Sequence, residues 1–296
     1  MKRIFYGFVA LLFVAVPAAH GQTVLTITTE PNAIVWIDEI RRGTTDASGK
    51  LTLNKISAGR HSVRVRANGF KENVTPLVPG RRALAVKLVP TTDEAELKFQ
   101  EAETAREKAR DDVSLQKAAD LYREAIKLRA AFPAAHVGLA RVLMDLNDFK
   151  QAHAEIDAAR RTRPAYAEAS AVEGRIYREE AFGDEAIRSF RRAIREGGGV
   201  QPEAYVGIAR VLEDKGQFAE ATVEYKKALA QLSDSEPVIY QMLGAAYEKI
   251  EKPKEAVAAY EKYLELAPNG SYAAAIRSIL EQLKREAAGE QIIPDF

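Results

Sequence analysis

The sequence predicts a multidomain α and β chain: a small antiparallel β-sandwich followed by a long all-α array of stacked helical hairpins. Three observations carry this. From Thr23 to Pro90 apolar and polar residues alternate with period two, as half-buried strands require. Beyond Pro90, small residues recur every 34 or 35 positions, the mark of a solenoid repeat. The 296 residues also open on an apolar leader, and enough chain follows it for two domains.

The leader reads MKRIFYGFVALLFVAVPAAHGQ. Lys2 and Arg3 precede 13 uncharged residues, Ile4 to Val16, and Ala19 and Gly21 bracket a cut before Gln22. Residues 1–21 thus have the layout of a secretory signal peptide, too short to span a bilayer. The mature chain is expected outside the cytoplasm, in the periplasm or on the cell surface. It has no cysteine, which excludes disulfides, thiolate metal sites and a cysteine nucleophile.

Residues 22–90 hold five alternating runs: VLTIT (24–28), AIVWID (33–38), LTLN (51–54), HSVRVRA (61–67) and LAVKL (84–88). In the fourth, Val63 and Val65 are expected to point inward and Arg64 and Arg66 into water. Pro31-Asn32, Gly43, Ser48-Gly49, Ala58-Gly59, Asn68-Gly69 and Pro79-Gly80 mark the turns between runs. With 11 basic and 5 acidic residues this segment carries +6, whereas residues 91–296, with 30 basic and 37 acidic, carry −7. Such asymmetry steers partners without naming them.

GTTDASGK (43–50) has the outline of a phosphate-binding loop. Five residues separate Gly43 from Gly49 where that loop has four, Leu51 stands where it needs Ser or Thr, and no long helix follows. A hairpin turn is expected instead. Trp36 is the only tryptophan, readable as core or as a sugar-stacking platform. The order EPNAIVWIDE (30–39), RGTT (42–45), SAGRHSVRV (57–65), NGF (68–70) and VKL (86–88) resembles the PEGA domain family, although Pro-Asn-Ala replaces the eponymous motif. The resemblance implies a small β-sandwich on exported proteins, with no catalytic role.

The helical pattern begins with DEAELKFQEAETAREKA (93–109) and SLQKAADLYREAIKLRAAF (114–132), one hairpin within residues 91–132. Four repeats follow in residues 133–268. Ala140, Gly174, Ala209 and Gly244 form one small-residue column, and Ala118, Ala152, Ala186, Ala221 and Ala256 another. Four residues after the second column comes a large side chain: Tyr122, Ile156, Phe190, Tyr225 or Tyr260. Helices cross closely only where one offers Ala or Gly, and the large residue fills the space alongside. Asn147-Asp148, Gly183-Asp184, Lys215-Gly216 and Lys252-Pro253 read as the turns within hairpins, and Pro133, Pro164, Pro202, Pro237 and Pro268 lie near repeat boundaries, where a first helical turn tolerates them. Residues 269–296 read as a capping helix and a frayed tail.

This register resembles the tetratricopeptide repeat. The family implies a right-handed superhelix whose concave surface holds segments of other proteins. Arg141, Arg175 and Arg210 each follow the first small column by one residue, with Ala245 in the last repeat, and by resemblance that column faces the groove. Guanidinium forks there would grip a carboxylate of a partner segment. Asp145, Glu179 and Asp214 lie four residues on, so the same arginines could instead neutralise themselves along each helix. Asparagines of the family's carboxylate-clamp groove do not flank them. Two partners are therefore expected: a protein segment in the envelope at the groove or, alternatively, anionic cell-wall polymer or lipid headgroups at Arg64, Arg66, Arg81 and Arg82.

The pattern offers no catalytic, cofactor or metal site. His61, His136 and His153 lack ligand spacing, and no nucleophile elbow, Walker loop or dinucleotide fingerprint occurs. An acidic array beside a β-module without a stacking set also argues against nucleic acid.

Overall fold

The computed structural model describes residues 23–38, 40–56, 60–232 and 235–289. The expected leader, the Ala58-Gly59 turn and the tail 290–296 lie outside them.

The N-terminal part is a small β-domain. One sheet orders β4 (Lys50–Ile56), β1 (Thr23–Thr28) and β8 (Ala83–Ala85). The other orders β3 (Ile40–Thr44), β2 (Ile34–Ile37), β5 (His61–Arg66) and β7 (Asn73–Leu77). A short pair, β6 (Phe70–Lys71) and β9 (Val89–Pro90), closes the end that leads into the helices. Leu25, Ile27, Val35, Ile37, Val63, Val65, Leu84 and Val86 fill the space between the sheets. Two departures from the sequence reading are physical. Strands β3 and β7, absent from the five alternating runs, are sheet edges, where Arg41-Arg42 and Pro76 suit a strand with one unpaired side. Strand β8 lies parallel to β1, so the domain is mixed rather than antiparallel.

GTTDASGK is a turn: Asp46 Oδ1 accepts from the Ser48 and Lys50 amides at 2.8 and 3.0 Å. Gly49 at its end has φ 74°, and a Cβ there would stand 2.1 Å from the Thr29 carbonyl oxygen. No side chain fits that position.

Eleven helices follow among the described residues. Five antiparallel pairs are α1 (Glu94–Lys108) with α2 (Asp112–Leu128), α3 (Pro133–Asp145) with α4 (Phe149–Thr162), α5 (Ala167–Glu179) with α6 (Gly183–Glu196), α7 (Pro202–Asp214) with α8 (Phe218–Gln231), and α9 (Pro237–Lys249) with α10 (Pro253–Leu266). Helix α11 (Ala273–Ala288) packs on α10. Each second helix also touches the first helix of the next pair, so successive cores adjoin along the stack through shared side chains such as Leu212, Tyr240 and Tyr247. Asp93, Asp111 and Asp148 accept backbone N–H groups at the starts of α1, α2 and α4, and Pro133, Pro202, Pro237 and Pro253 lie in first turns, where a missing N–H costs nothing.

The column Ala118, Ala152, Ala186, Ala221 and Ala256 is wholly buried, as are Tyr122, Ile156, Phe190 and Tyr225. Three of the rings, Tyr122, Phe190 and Tyr260, lie against glycine. A Cβ on Gly138 would meet Tyr122 at 2.3 Å, one on Gly244 would meet Tyr260 at 2.5 Å, and Cβ atoms on Gly174 and Gly207 would meet Phe190 at 2.7 and 2.3 Å. Where the ring is tyrosine its hydroxyl has an acid: Tyr122 donates to Glu103, Tyr225 to Glu213 at 2.8 Å, and Tyr260 to Glu248. Where it is Ile156 or Phe190, the place of Glu213 is taken by Met144 or Arg178. A buried phenol needs a partner and an apolar side chain does not.

The tight turn within each of the four hairpins after the first centres on a residue at positive φ: Asn147 (60°), Ala181 (64°), Gly216 (74°) and Glu251 (55°). Gly183 instead opens α6 and Pro253 opens α10, so the turn falls two residues before the Gly-Asp pair and one before the Lys-Pro pair. No helix among the described residues is long and apolar enough to cross a membrane.

Candidate partner-binding groove

First helices pack on one another directly, α1 on α3, α3 on α5 and α5 on α7. They therefore crowd the inner side of the stack, and the arginine column projects from them.

The column pairs between repeats, not along its own helices. Arg141 Nη1 donates to Glu168 Oε1 on α5 at 2.8 Å, and Arg175 Nη1 reaches Glu203 Oε1 on α7 at 3.5 Å. The expected partners are engaged elsewhere or idle: Arg178 takes both Glu179 (3.2 Å) and Asp214 (3.3 Å), and Asp145 makes no ion pair among the described residues. The acids that matter, Glu168 and Glu203, are 35 residues apart, and the next position in that series is Val238. Arg210, next in its own series, thus has no acid across the repeat, and Glu213 on its own helix is near enough only for a longer-range attraction. It is exposed and forms no ion pair among the described residues. That second column was legible as a period; reading only neighbours four residues away missed it.

Electrostatics grade along the wall. Burial opposes ionisation of Glu168, but Arg141, the Tyr166 hydroxyl (2.7 Å), and then Arg64 and Arg66 outweigh it and bring its pKa down to about 2. Burial likewise opposes the charge on Arg141, and Glu168, Glu203 and Glu103 overcome it, raising its pKa. Side-chain exposure rises from 16% at Arg141 to 39% at Arg175, and Arg210 is open.

The β-domain stands beside this end of the wall, with Arg64 and Arg66 close enough to Glu168 to help hold it ionised. Its second sheet turns Trp36, Arg64 and Arg66 toward the array, with Trp36 opposite Arg64 and Ile34 opposite Arg66 in register. Arg64 lies over the Trp36 ring at 4.1 Å and Arg66 over the Phe99 ring of α1 at 4.9 Å. Both arginines bond Glu72, and Arg66 also reaches Glu103 at 3.7 Å. Arg64 and Arg66 therefore do not stand in water, and Trp36 is neither core nor a bare platform. Arg81 and Arg82, between β7 and β8, remain exposed. His61 sits against Asp38 at 2.6 Å.

Further contacts tie the β-domain to both ends of the wall. Gln100 on α1 accepts from Gly69 N at 2.8 Å and donates to the Phe70 carbonyl at 2.9 Å. Arg41 Nη1 meets Glu107 Oε1 at 2.9 Å. Four hairpins along, Ile40 is buried with Leu232 and Ile239, and Arg42 donates to the Gln231 and Leu232 carbonyls at the end of α8 at 3.3 and 3.4 Å, where a cation suits the helix dipole. Burying Ile40 is worth about 2 kcal/mol. Arg42 Nε is buried without an acceptor, a penalty of about 1–3 kcal/mol. The two nearly cancel, and an exposed pair such as Arg41–Glu107 adds less than about 1 kcal/mol.

A cleft of about 200 Å³ lies where the β-domain meets α1, lined by Arg41, Arg66, Glu103 and Glu107 among others. It is smaller than usual ligand sites, which run from about 300 Å³, and its charges already face each other, so it is a seam. Among the described residues no group of His, Asp or Glu is arranged to hold a metal.

A tetratricopeptide-repeat family model matches residues 109–176, and a second of the same description matches residues 201–269. No curated protein matches the chain in sequence. Among solved structures, a thermophilic TPR protein of Thermus thermophilus superposes with a TM-score of 0.52 at 20% identity, covering 64% of this chain and 98% of that one. PilF of Pseudomonas aeruginosa gives 0.55 at 16% identity, over 67% and 88% of the two chains. PilW, described as a type IV pilus biogenesis factor, gives 0.56 at 16% identity over 68% and 90%. At such identity the shared property is the fold.

Proposed function

Residues 109–176 and 201–269 are tetratricopeptide repeats, and on that premise we propose that the chain is a non-enzymatic protein-interaction scaffold of the bacterial cell envelope. Such repeats generally serve protein–protein interaction through an extended concave wall. The observation that carries the reading is the interrupted charge ladder: two rungs are closed by Glu168 and Glu203, and the third, Arg210, is left open and solvent-facing. A carboxylate of a partner segment would complete it. The envelope setting rests on the leader-like residues 1–21 and is in keeping with the fold shared with a pilus biogenesis factor. The β-domain is read as PEGA-like on its motif order. Reversing Arg141, Arg175 and Arg210 to glutamate together should abolish partner crosslinking in native envelopes; undiminished capture would remove the inner wall from the account.

A second reading gives the basic β-domain an anionic envelope ligand, polymer or lipid headgroup. It is favoured only by Arg81 and Arg82, which are exposed, since Arg64 and Arg66 are committed to Glu72 and Glu103. Salt-sensitive cosedimentation of the whole chain with cell-wall material, lost in R81E/R82E, would support it.

A further inference from the structure

We propose that the β-domain is a detachable occupant of the array's inner wall, so that a partner segment reaches Arg141 and Glu168 only when the domain has swung away. The proposal rests on the protein-binding reading of that wall but concerns the closed chain alone.

Three features make the seat weak by construction. Its apolar anchor is a single aliphatic side chain, Ile40, whose neighbours Leu232 and Ile239 belong to α8 and α9. Its polar contacts are Arg41–Glu107, Arg66–Glu103, Arg66 over the Phe99 ring, the two Gln100 bonds, the longer-range pull of Arg64 and Arg66 on Glu168 and of Arg42 on Glu236, and Arg42 on the α8 carbonyls at 3.3 and 3.4 Å, the long end of the hydrogen-bond range. Arg42 also gives up water for a site that leaves its Nε without an acceptor, so undocking regains a hydration shell that docking sacrificed. The attraction that remains is between a +6 domain and a −7 array, which salt screens over about 8–10 Å. A seat made this way holds at low ionic strength and releases when a competing acidic surface or salt takes over the arginines. Residues 91–93 join β9 to α1 directly, so the domain stays attached through the chain while its contacts at both ends, Gly69 with Gln100 and Ile40 with Leu232, open together.

The Gly69 amide reports on the seat because its acceptor, Gln100 Oε1, belongs to α1. Val65, on β5 between β2 and β7, reports on the β-domain's own integrity. Amide exchange of the full chain should show Gly69 at least tenfold faster in I40E than in wild type while Val65 is unchanged, and raising NaCl from 50 mM to 500 mM should move wild type in the same direction. The charge swap R41E/E107R should return Gly69 toward the wild-type rate relative to either single variant. Equal rates at Gly69 in wild type and I40E, or parallel acceleration of Gly69 and Val65, would overturn the proposal. No partner is present in this measurement, so its failure leaves the crosslinking test of the wall untouched.

Discussion

Substituting Gly207 by alanine tests what sets the distance between repeats. The new Cβ would stand 2.3 Å from Phe190 Cζ, about 1 Å inside the closest approach that carbon atoms tolerate, and the ring cannot retreat because Gly174 closes its other side with only 2.7 Å for a Cβ. Phe190 is wholly buried, so rotation to solvent is not available. Overpacking of this kind costs about 1–3 kcal/mol. Alanine in mid-helix returns about 1 kcal/mol of helix propensity. With steric relief blocked on both faces, the upper end of the first range applies, and a net loss of about 2 kcal/mol is expected. Urea unfolding followed by far-UV circular dichroism should show a midpoint lowered by about 1 M, taking a slope of about 2 kcal/mol per M. In the F190L background the added methyl meets the space the ring vacated, so the two changes should be less than additive by 1 kcal/mol or more, roughly the range found for contacting residues. A G207A variant as stable as wild type, or one additive with F190L, would show that the glycine–ring contact does not govern the stacking.

Other perturbations follow from the same structure. E213A should destabilise by about 1–3 kcal/mol because the buried Tyr225 hydroxyl loses its acceptor, and Y225F/E213A should recover much of that in thermal melts. Glu251 and Ala181 adopt positive φ without being glycine, so E251G and A181G should each gain about 0.5–1 kcal/mol, since relief of left-handed strain outweighs the added chain entropy. The Glu168 pKa is depressed to about 2, so its contribution is complete above the ordinary carboxylate pKa and is lost as pH falls from about 4.5 toward 2; E168Q should flatten that acid limb in a pH series of unfolding midpoints. His136, buried against Glu155 and the Ala130 carbonyl, has its pKa raised: burial lowers it but those two contacts prevail. Its contribution is full below the ordinary histidine value and fades as pH rises through the folded one, a slope that H136Q should remove.

The repeat was legible in sequence because its cause is local and periodic. Ala118 through Ala256 and the rings four residues later must recur wherever one hairpin nests on the next, so spacing alone revealed stacked hairpins. The β-domain's core was legible for the same reason at period two, in Val63, Val65, Val35 and Ile37. Edges were not: IRRGT and NVTPL each bury a single side chain, Ile40 and Leu77, too few to mark a period.

The site divides differently. Sequence placed Arg141, Arg175 and Arg210 in one column, since a column is a matter of register. Which acid each arginine meets depends on how far one first helix is displaced from the next, and that offset comes from side-chain packing in three dimensions; it delivered Glu168 and Glu203 and left Arg210 open. The seating of the β-domain is more distant still. Ile40 and Leu232 are far apart along the chain and share no motif, and they meet because the array curves back until α8 and α9 stand opposite the domain tethered to α1. Periodic packing is written in the order of residues, whereas contact between separate units is decided by the curvature their packing accumulates.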